Sequence, residues 1–272
     1  MKIPGKIKAI LSVPVIYIIY CTAMYFGQSS ISFPGTGLKP KNADYSQVTQ
    51  IEIPISEGIG RVFYFDAVKD GNFDNPFVIF AHGNFEVAEG NFDLFEQYKD
   101  INCDVLIVEY PGYGNSEGSP SEESINELCE KAYDSAMSMS KNKDRKVIAH
   151  GVSIGGGVVC KLSRSRKIDA MILQCTFTSF KSFAYDYFIP QFLIRDQYDN
   201  EDALRGSNMP LLIHHGTRDI LIPFRHAEIL DSVSNNSRLI SYPRGHNRWF
   251  GYSEETTKFV LENIFGLETI DD

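Results

Sequence analysis

Short apolar runs alternate along this chain with polar, turn-rich stretches, and the texture of each run predicts its element. Residues 77–81, 104–108, 170–175 and 210–215, and the run opening at Lys146, are continuously apolar or β-prone. Strands buried on both faces of a parallel sheet have that texture. Residues 50–55 alternate instead, and with 61–65 they read as an antiparallel pair at the start of the domain. Residues 238–242 read as the last strand. Helices are predicted near 91–99, from about Pro120 to Lys141, over the stretch beginning Val158-Val159-Cys160, from Phe224 to about Ser232, and over 253–264. Ser119 and Glu122 stand at capping-box spacing, with Pro120 at the first helical position. Strand and helix alternating in this way predict an α/β fold with a mostly parallel, doubly wound sheet.

Two segments break the alternation. Lys2, Lys6 and Lys8 precede an uncharged stretch from Ala9 to Phe26, and no charge returns until Lys39. The run is about the minimum needed to span a bilayer, and Tyr17, Tyr20, Tyr25 and Phe26 suit an interface. Three readings stay open: an uncleaved signal anchor, a secretory signal cleaved near Cys21-Thr22-Ala23 with secretion or periplasmic release, and lipidation at Cys21. The basic flank places the N-terminus in the cytoplasm and the catalytic domain on the non-cytoplasmic side. The domain expectation is therefore an anchor plus linker over 1–38 and a catalytic domain over 39–272. A chain lacking 1–38 is expected to stay soluble and active. The second segment, about 176–209, crowds aromatic residues without period. It reads either as core packing or as an apolar wall for an acyl chain. Phe183, Phe188 and, further on, Trp249 are its substrate-binding candidates.

A length of 272 residues suits one large domain better than two small ones. The net charge of −9 argues against a nucleic-acid partner, which needs a basic stripe. Cys21, Cys103, Cys129, Cys160 and Cys175 show no C-x-x-C spacing and are expected as free thiols. No H-E-x-x-H or similar cluster points to a metal, and no cofactor is implied.

The chemistry centres on Gly151-Val152-Ser153-Ile154-Gly155, between a predicted strand and a predicted helix. G-x-S-x-G in that setting is a nucleophile elbow, with the serine at a sharp turn and free amides beside it. His82, Ser153, Asp219 and His246 all fall just past predicted strands, where open α/β sheets build their sites. A serine hydroxyl needs a base. His246 is the candidate, with Asp219 to orient it and stabilise its charged form. The amides of Ile154 and of Asn84 or Phe85 would hold an oxyanion.

On these residues the chain resembles an α/β-hydrolase. The order Ser153, Asp219, His246 is the fold's nucleophile–acid–histidine order. His215-Gly216-Thr217-Arg218-Asp219 resembles its acid loop, Gly245-His246-Asn247 its histidine loop, and His82-Gly83-Asn84 its oxyanion loop. Glu109-Tyr110-Pro111-Gly112-Tyr113-Gly114, continuing to Gly118, resembles a hallmark of the membrane-anchored α/β-hydrolase-domain branch. That branch includes depalmitoylases and serine-aminopeptidase-like hydrolases. The chain departs from many relatives in following His-Gly-Asn with Phe85-Glu86-Val87. The resemblance implies a small cap over 176–209 and a serine hydrolase of esters or thioesters, with acylated substrates. An amidase or aminopeptidase with the same triad is the nearer alternative. A non-catalytic, membrane-tethered binding protein is the alternative of another class.

Overall fold

The continuously apolar runs become the middle of one sheet. A computed structural model describes residues 5–68, 73–246 and 253–267. Its strands are β1 (Thr49–Ile55), β2 (Gly58–Phe65), β3 (Phe77–Ala81), β4 (Asp104–Glu109), β5 (Val147–Val152), β6 (Ala170–Gln174), β7 (Leu211–Gly216) and β8 (Ser237–Tyr242). Among the described residues they form one sheet in the order β1-β2-β4-β3-β5-β6-β7-β8. The β1–β2 and β2–β4 pairings are antiparallel and all those from β4 to β8 are parallel. Every residue of β3, β4, β6 and β7 is buried, as uniform apolar runs require.

The helices are α1 (Gly5–Ser32), α2 (Leu94–Lys99), α3 (Glu122–Met139), α4 (Ile154–Leu162), α5 (Asn200–Leu204), α6 (Arg225–Val233) and α7 (Ser253–Ile264). They cover both faces of the sheet. Ile125 and Leu128 of α3, Val158 of α4 and Leu230 of α6 join one apolar cluster. Phe95 and Tyr98 of α2, with Phe259 and Val260 of α7, join the other. Helices α2, α3, α4, α6 and α7 thus bury apolar residues against the sheet.

Two expectations change. Helix α3 starts at Glu122, two residues past Pro120. Its N-cap is Ser121, whose side chain accepts from the Ser124 amide while the Ser124 hydroxyl accepts from the Ser121 amide. Glu122 is occupied elsewhere: it pairs with Lys161 at 3.0 Å and accepts from the amides of Gln197 and Tyr198.

The N-terminal segment is the larger change. Among the described residues no helix is long and apolar enough to cross a membrane. Residues 33–37 are tied to the rest of the chain. Phe33 is 1% exposed within the main apolar cluster. The amides of Gly35 and Gly37 donate to the carbonyls of Asn84 and Gly112. Helix α1 also bonds to the 176–209 segment: Tyr17 Oη donates to the Phe188 carbonyl at 3.0 Å, and Gln28 Nε2 to that of Leu193 at 3.1 Å. That segment contains only short 3-10 turns at Phe180–Phe183 and Gln191–Leu193 before α5.

Candidate active site

Strand β5 ends at Val152 and α4 begins at Ile154, so the chain reverses within one residue. Ser153 accordingly takes φ 55°, ψ −116°, a conformation costly for any side chain-bearing residue. Its neighbours hold it there: the Ser153 amide donates to the Gln174 carbonyl at 2.8 Å, and Thr176 Oγ1 donates to the Ser153 carbonyl at 2.7 Å. The motif glycines are a matter of space. A Cβ on Gly155 would lie 1.9 Å from the Ala81 carbonyl oxygen, and one on Gly151 would lie 2.3 Å from that of Gly155.

Ser153 Oγ lies 3.1 Å from His246 Nε2, and His246 Nδ1 lies 2.7 Å from Asp219 Oδ2. A carboxylate only accepts, so Nδ1 carries the proton and Nε2 is the acceptor for the serine hydroxyl. Burial alone would raise the Asp219 pKa. The hydrogen bonds from His246 and the Ile222 amide outweigh it and hold the carboxyl below its ordinary value. His215 stands behind, with Nε2 donating to the Ile222 carbonyl at 2.8 Å and burial lowering its pKa. Cys175, Asp219 and His246 offer ligand atoms within 4.8 Å of one another. Burial pushes the Cys175 thiol up to about 12, and Asp219 and His246 are already paired with each other, so the trio offers a metal no ready thiolate.

The oxyanion loop follows β3. His82 is fully buried, its Nδ1 facing the Gly83 carbonyl at 2.8 Å and its Nε2 facing Glu109 Oε1 at 3.1 Å. Both partners accept, so both ring nitrogens carry protons. Burial works against that charge, but the Glu109 contact prevails and raises the His82 pKa. Tyr110 Oη donates to the His82 carbonyl at 2.6 Å and Tyr113 Oη to that of Asn84 at 2.9 Å. The Glu109–Gly118 loop therefore braces the backbone at 82–84 through two tyrosine hydroxyls. Ile154 opens α4, where the first amides lack a helical acceptor.

A cavity of about 180 Å³ opens on Ser153. Asn84, Ile154 and Phe183 line it, and no Asp or Glu is among its described lining residues. Phe85 and Phe188 are not in the lining: their side chains are 70% and 80% exposed. Trp249 lies outside the described residues. Sequence reasoning missed Met24, Gln28 and Ile31 of α1 and Leu221 and Ile222 of the acid loop.

A family model for the alpha/beta hydrolase fold matches residues 76–188. The Pyrococcus furiosus esterase Pf2001 superposes with a TM-score of 0.64 at 15% identity, over 82% of this chain and 92% of that one. This chain has the α/β-hydrolase fold. Two relatives in sequence are the uncharacterized protein YfhR of Escherichia coli and the uncharacterized membrane protein YNL320W of Saccharomyces cerevisiae. The first is 29% identical over 230 residues, 79% of this chain and 81% of YfhR. The second is 30% identical over 188 residues, 64% of this chain and 65% of YNL320W.

Proposed function

We propose that this α/β-hydrolase cleaves carboxylic ester or thioester bonds of acylated substrates through an acyl-enzyme on Ser153. The observation that carries the reading is the hydrogen-bonded chain Ser153 Oγ–His246–Asp219, at the wall of a mostly apolar cavity. In the reaction the Ser153 oxygen attacks the acyl carbonyl carbon while His246 Nε2 takes its proton. The carbonyl oxygen becomes an oxyanion held by amides beside the elbow, with Ile154 as one donor and Asn84 or Phe85 as the other. The imidazolium, stabilised by Asp219, then protonates the departing alcohol or thiol oxygen or sulfur. Water, deprotonated by the same histidine, cleaves the acyl-serine and releases the acid. An aminopeptidase would use a carboxylate to hold the substrate's ammonium group, and the described lining offers none.

We further propose that the enzyme acts at a membrane surface. Helix α1 turns Val13, Ile16, Ile18 and Phe26 outward, each more than half exposed, and YNL320W is named a membrane protein.

The test is fluorophosphonate labelling of the full chain, followed by turnover of p-nitrophenyl esters. Ser153→Ala should abolish labelling, and Ser153→Ala and His246→Ala should lose turnover to a similar extent because the pair acts as a unit. Labelling that persists without Ser153 rejects the proposal.

A further inference from the structure

Helix α1 contributes a wall to the pocket at Ser153. Met24, Gln28 and Ile31 recur at i, i+4 and i+7, so they form one stripe of the helix, and all three share the cavity lining with Phe180, Phe183 and Ile189. That wall is held in place. Gln28 makes a two-way bridge to the opposite segment, its Nε2 donating to the Leu193 carbonyl and its Oε1 accepting from the Arg195 amide at 2.9 Å. Arg195 also donates to Ser29 Oγ at 2.7 Å, and the Tyr20 hydroxyl donates to the Tyr187 carbonyl. Side chain-to-backbone bonds of this kind, spread over several turns, set a distance between helix and cap that packing alone leaves adjustable.

The size of the space sets what fits. An apolar cavity of about 150 Å³ accepts benzene, six carbons in all. The cavity here is about 180 Å³ and its wall is mostly apolar side chains. A chain of about six carbons beyond the acyl carbonyl would fill it, and α1 is part of the wall it would pack against.

We infer that the Met24–Gln28–Ile31 stripe of α1 is the chain-length gauge of the acyl pocket, selecting medium-chain acyl esters or thioesters. The inference rests on the serine-hydrolase reading above, because it places the acyl carbonyl at Ser153. Each buried methylene is worth about 0.8 kcal/mol, nearly fourfold in binding. Catalytic efficiency should therefore climb about fourfold per methylene from acetyl and stop climbing once the chain reaches the stripe. Met24 is the decisive position, since a larger side chain there shortens the cavity and a smaller one lengthens it. Gln28 supplies the registration.

The experiment uses the full chain in detergent with p-nitrophenyl acetate, butyrate, hexanoate, octanoate and decanoate. Ser153 labelling by a fluorophosphonate is read in parallel for every variant. In the unaltered chain kcat/KM should peak at hexanoate or octanoate. Met24→Trp should lower the octanoate-to-acetate ratio of kcat/KM at least tenfold, and Met24→Ala should move the peak toward decanoate. If Met24→Trp fails to fold, the shift in Met24→Ala still decides the question, because that change only removes atoms. A ratio and a peak that stay put in variants still labelled at Ser153 overturn the gauge and leave the hydrolase reading intact. An unaltered chain that is not labelled at Ser153 overturns both.

Discussion

Asp219 gives one carboxylate oxygen to His246 and the other to its own loop. Oδ2 meets His246 Nδ1 at 2.7 Å, while Oδ1 accepts from the amides of Leu221 and Ile222 at 2.9 and 2.8 Å. Asp219→Asn can keep Oδ1 on those amides, so the loop should stay folded. Its new NH₂ would face Nδ1 and force the ring into the tautomer whose Nε2 carries the proton. Nε2 then no longer accepts from Ser153. Turnover should fall by about three to four orders of magnitude with Tm nearly unchanged. If most activity survives, Asp219 is not the partner of the base. Asp196 and Asp199 do not compete on geometry. Asp196 accepts from the Glu122 amide, and Asp199 caps α5 through the Asp202 amide.

Gly155→Ala tests the packing of the elbow. The new methyl would lie 1.9 Å from the Ala81 carbonyl oxygen and 2.9 Å from that of His82, both backbone atoms of the strand end that carries the oxyanion loop. Backbone cannot swing away as a side chain can. The substitution should cost about 3 kcal/mol or more, read as a lower midpoint in urea, and displace the loop. Ester turnover should fall even in the fraction that remains folded.

The His82–Glu109 pair predicts a pH dependence. The folded pKa of His82 is raised above its ordinary value of about 6.5. Its contribution to stability is therefore fully present below about pH 6.5 and lost as pH rises through the folded value. Glu109→Gln removes the charge that sustains it. The Tm gap between the unaltered chain and Glu109→Gln should be widest near pH 6 and narrow toward alkaline pH. A gap constant from pH 6 to 9 would show that His82 is neutral in the folded state.

Removal of residues 1–38 should be destabilising. It takes Phe33 from the core and the Gly35 and Gly37 amides from their carbonyl partners. The loss of a buried Phe alone costs about 3–5 kcal/mol, or a Tm drop of roughly 10 °C for a domain of this size. A chain lacking only residues 1–12 keeps Phe33 and the pocket stripe and should unfold close to the full-length midpoint in detergent. Equal midpoints for the two truncated chains would show that α1 is a detachable tether.

Most of the sheet was legible because burial on both faces leaves a run such as Val105–Val108 with no polar position to break it. The loops bearing Ser153, Asp219 and His246 were legible for a local reason, since each carries its turn chemistry in adjacent residues. What could not be read depends on partners distant in the chain. Ser119-x-x-Glu122 has capping-box spacing, yet Glu122 is drawn off by Lys161 and by the amides of Gln197 and Tyr198. Helix α1 spreads its apolar residues around the whole axis, so its sequence carries no phase to show that Met24 and Ile31 face a cavity. In the irregular segment after β6 no periodicity separates Phe183, which lines the pocket, from Phe188, which points to solvent. Tyr110 and Tyr113 look like packing residues until their hydroxyls are seen on the carbonyls of His82 and Asn84.

The two rims of the sheet bear on how copies of this chain can meet. The β1 rim carries Pro54, which has no amide to offer a further strand, and Lys131 Nζ occupies its carbonyl at 2.7 Å. Glu52 on the same strand pairs with Arg61 at 3.0 Å and keeps charge along that edge. The β8 rim carries Arg238, paired with Glu255 of α7 at 2.6 Å. Proline and charge along open edges discourage strand-to-strand aggregation. Self-association by sheet extension is thereby blunted at both ends, and crowding many copies together need not seed fibrils.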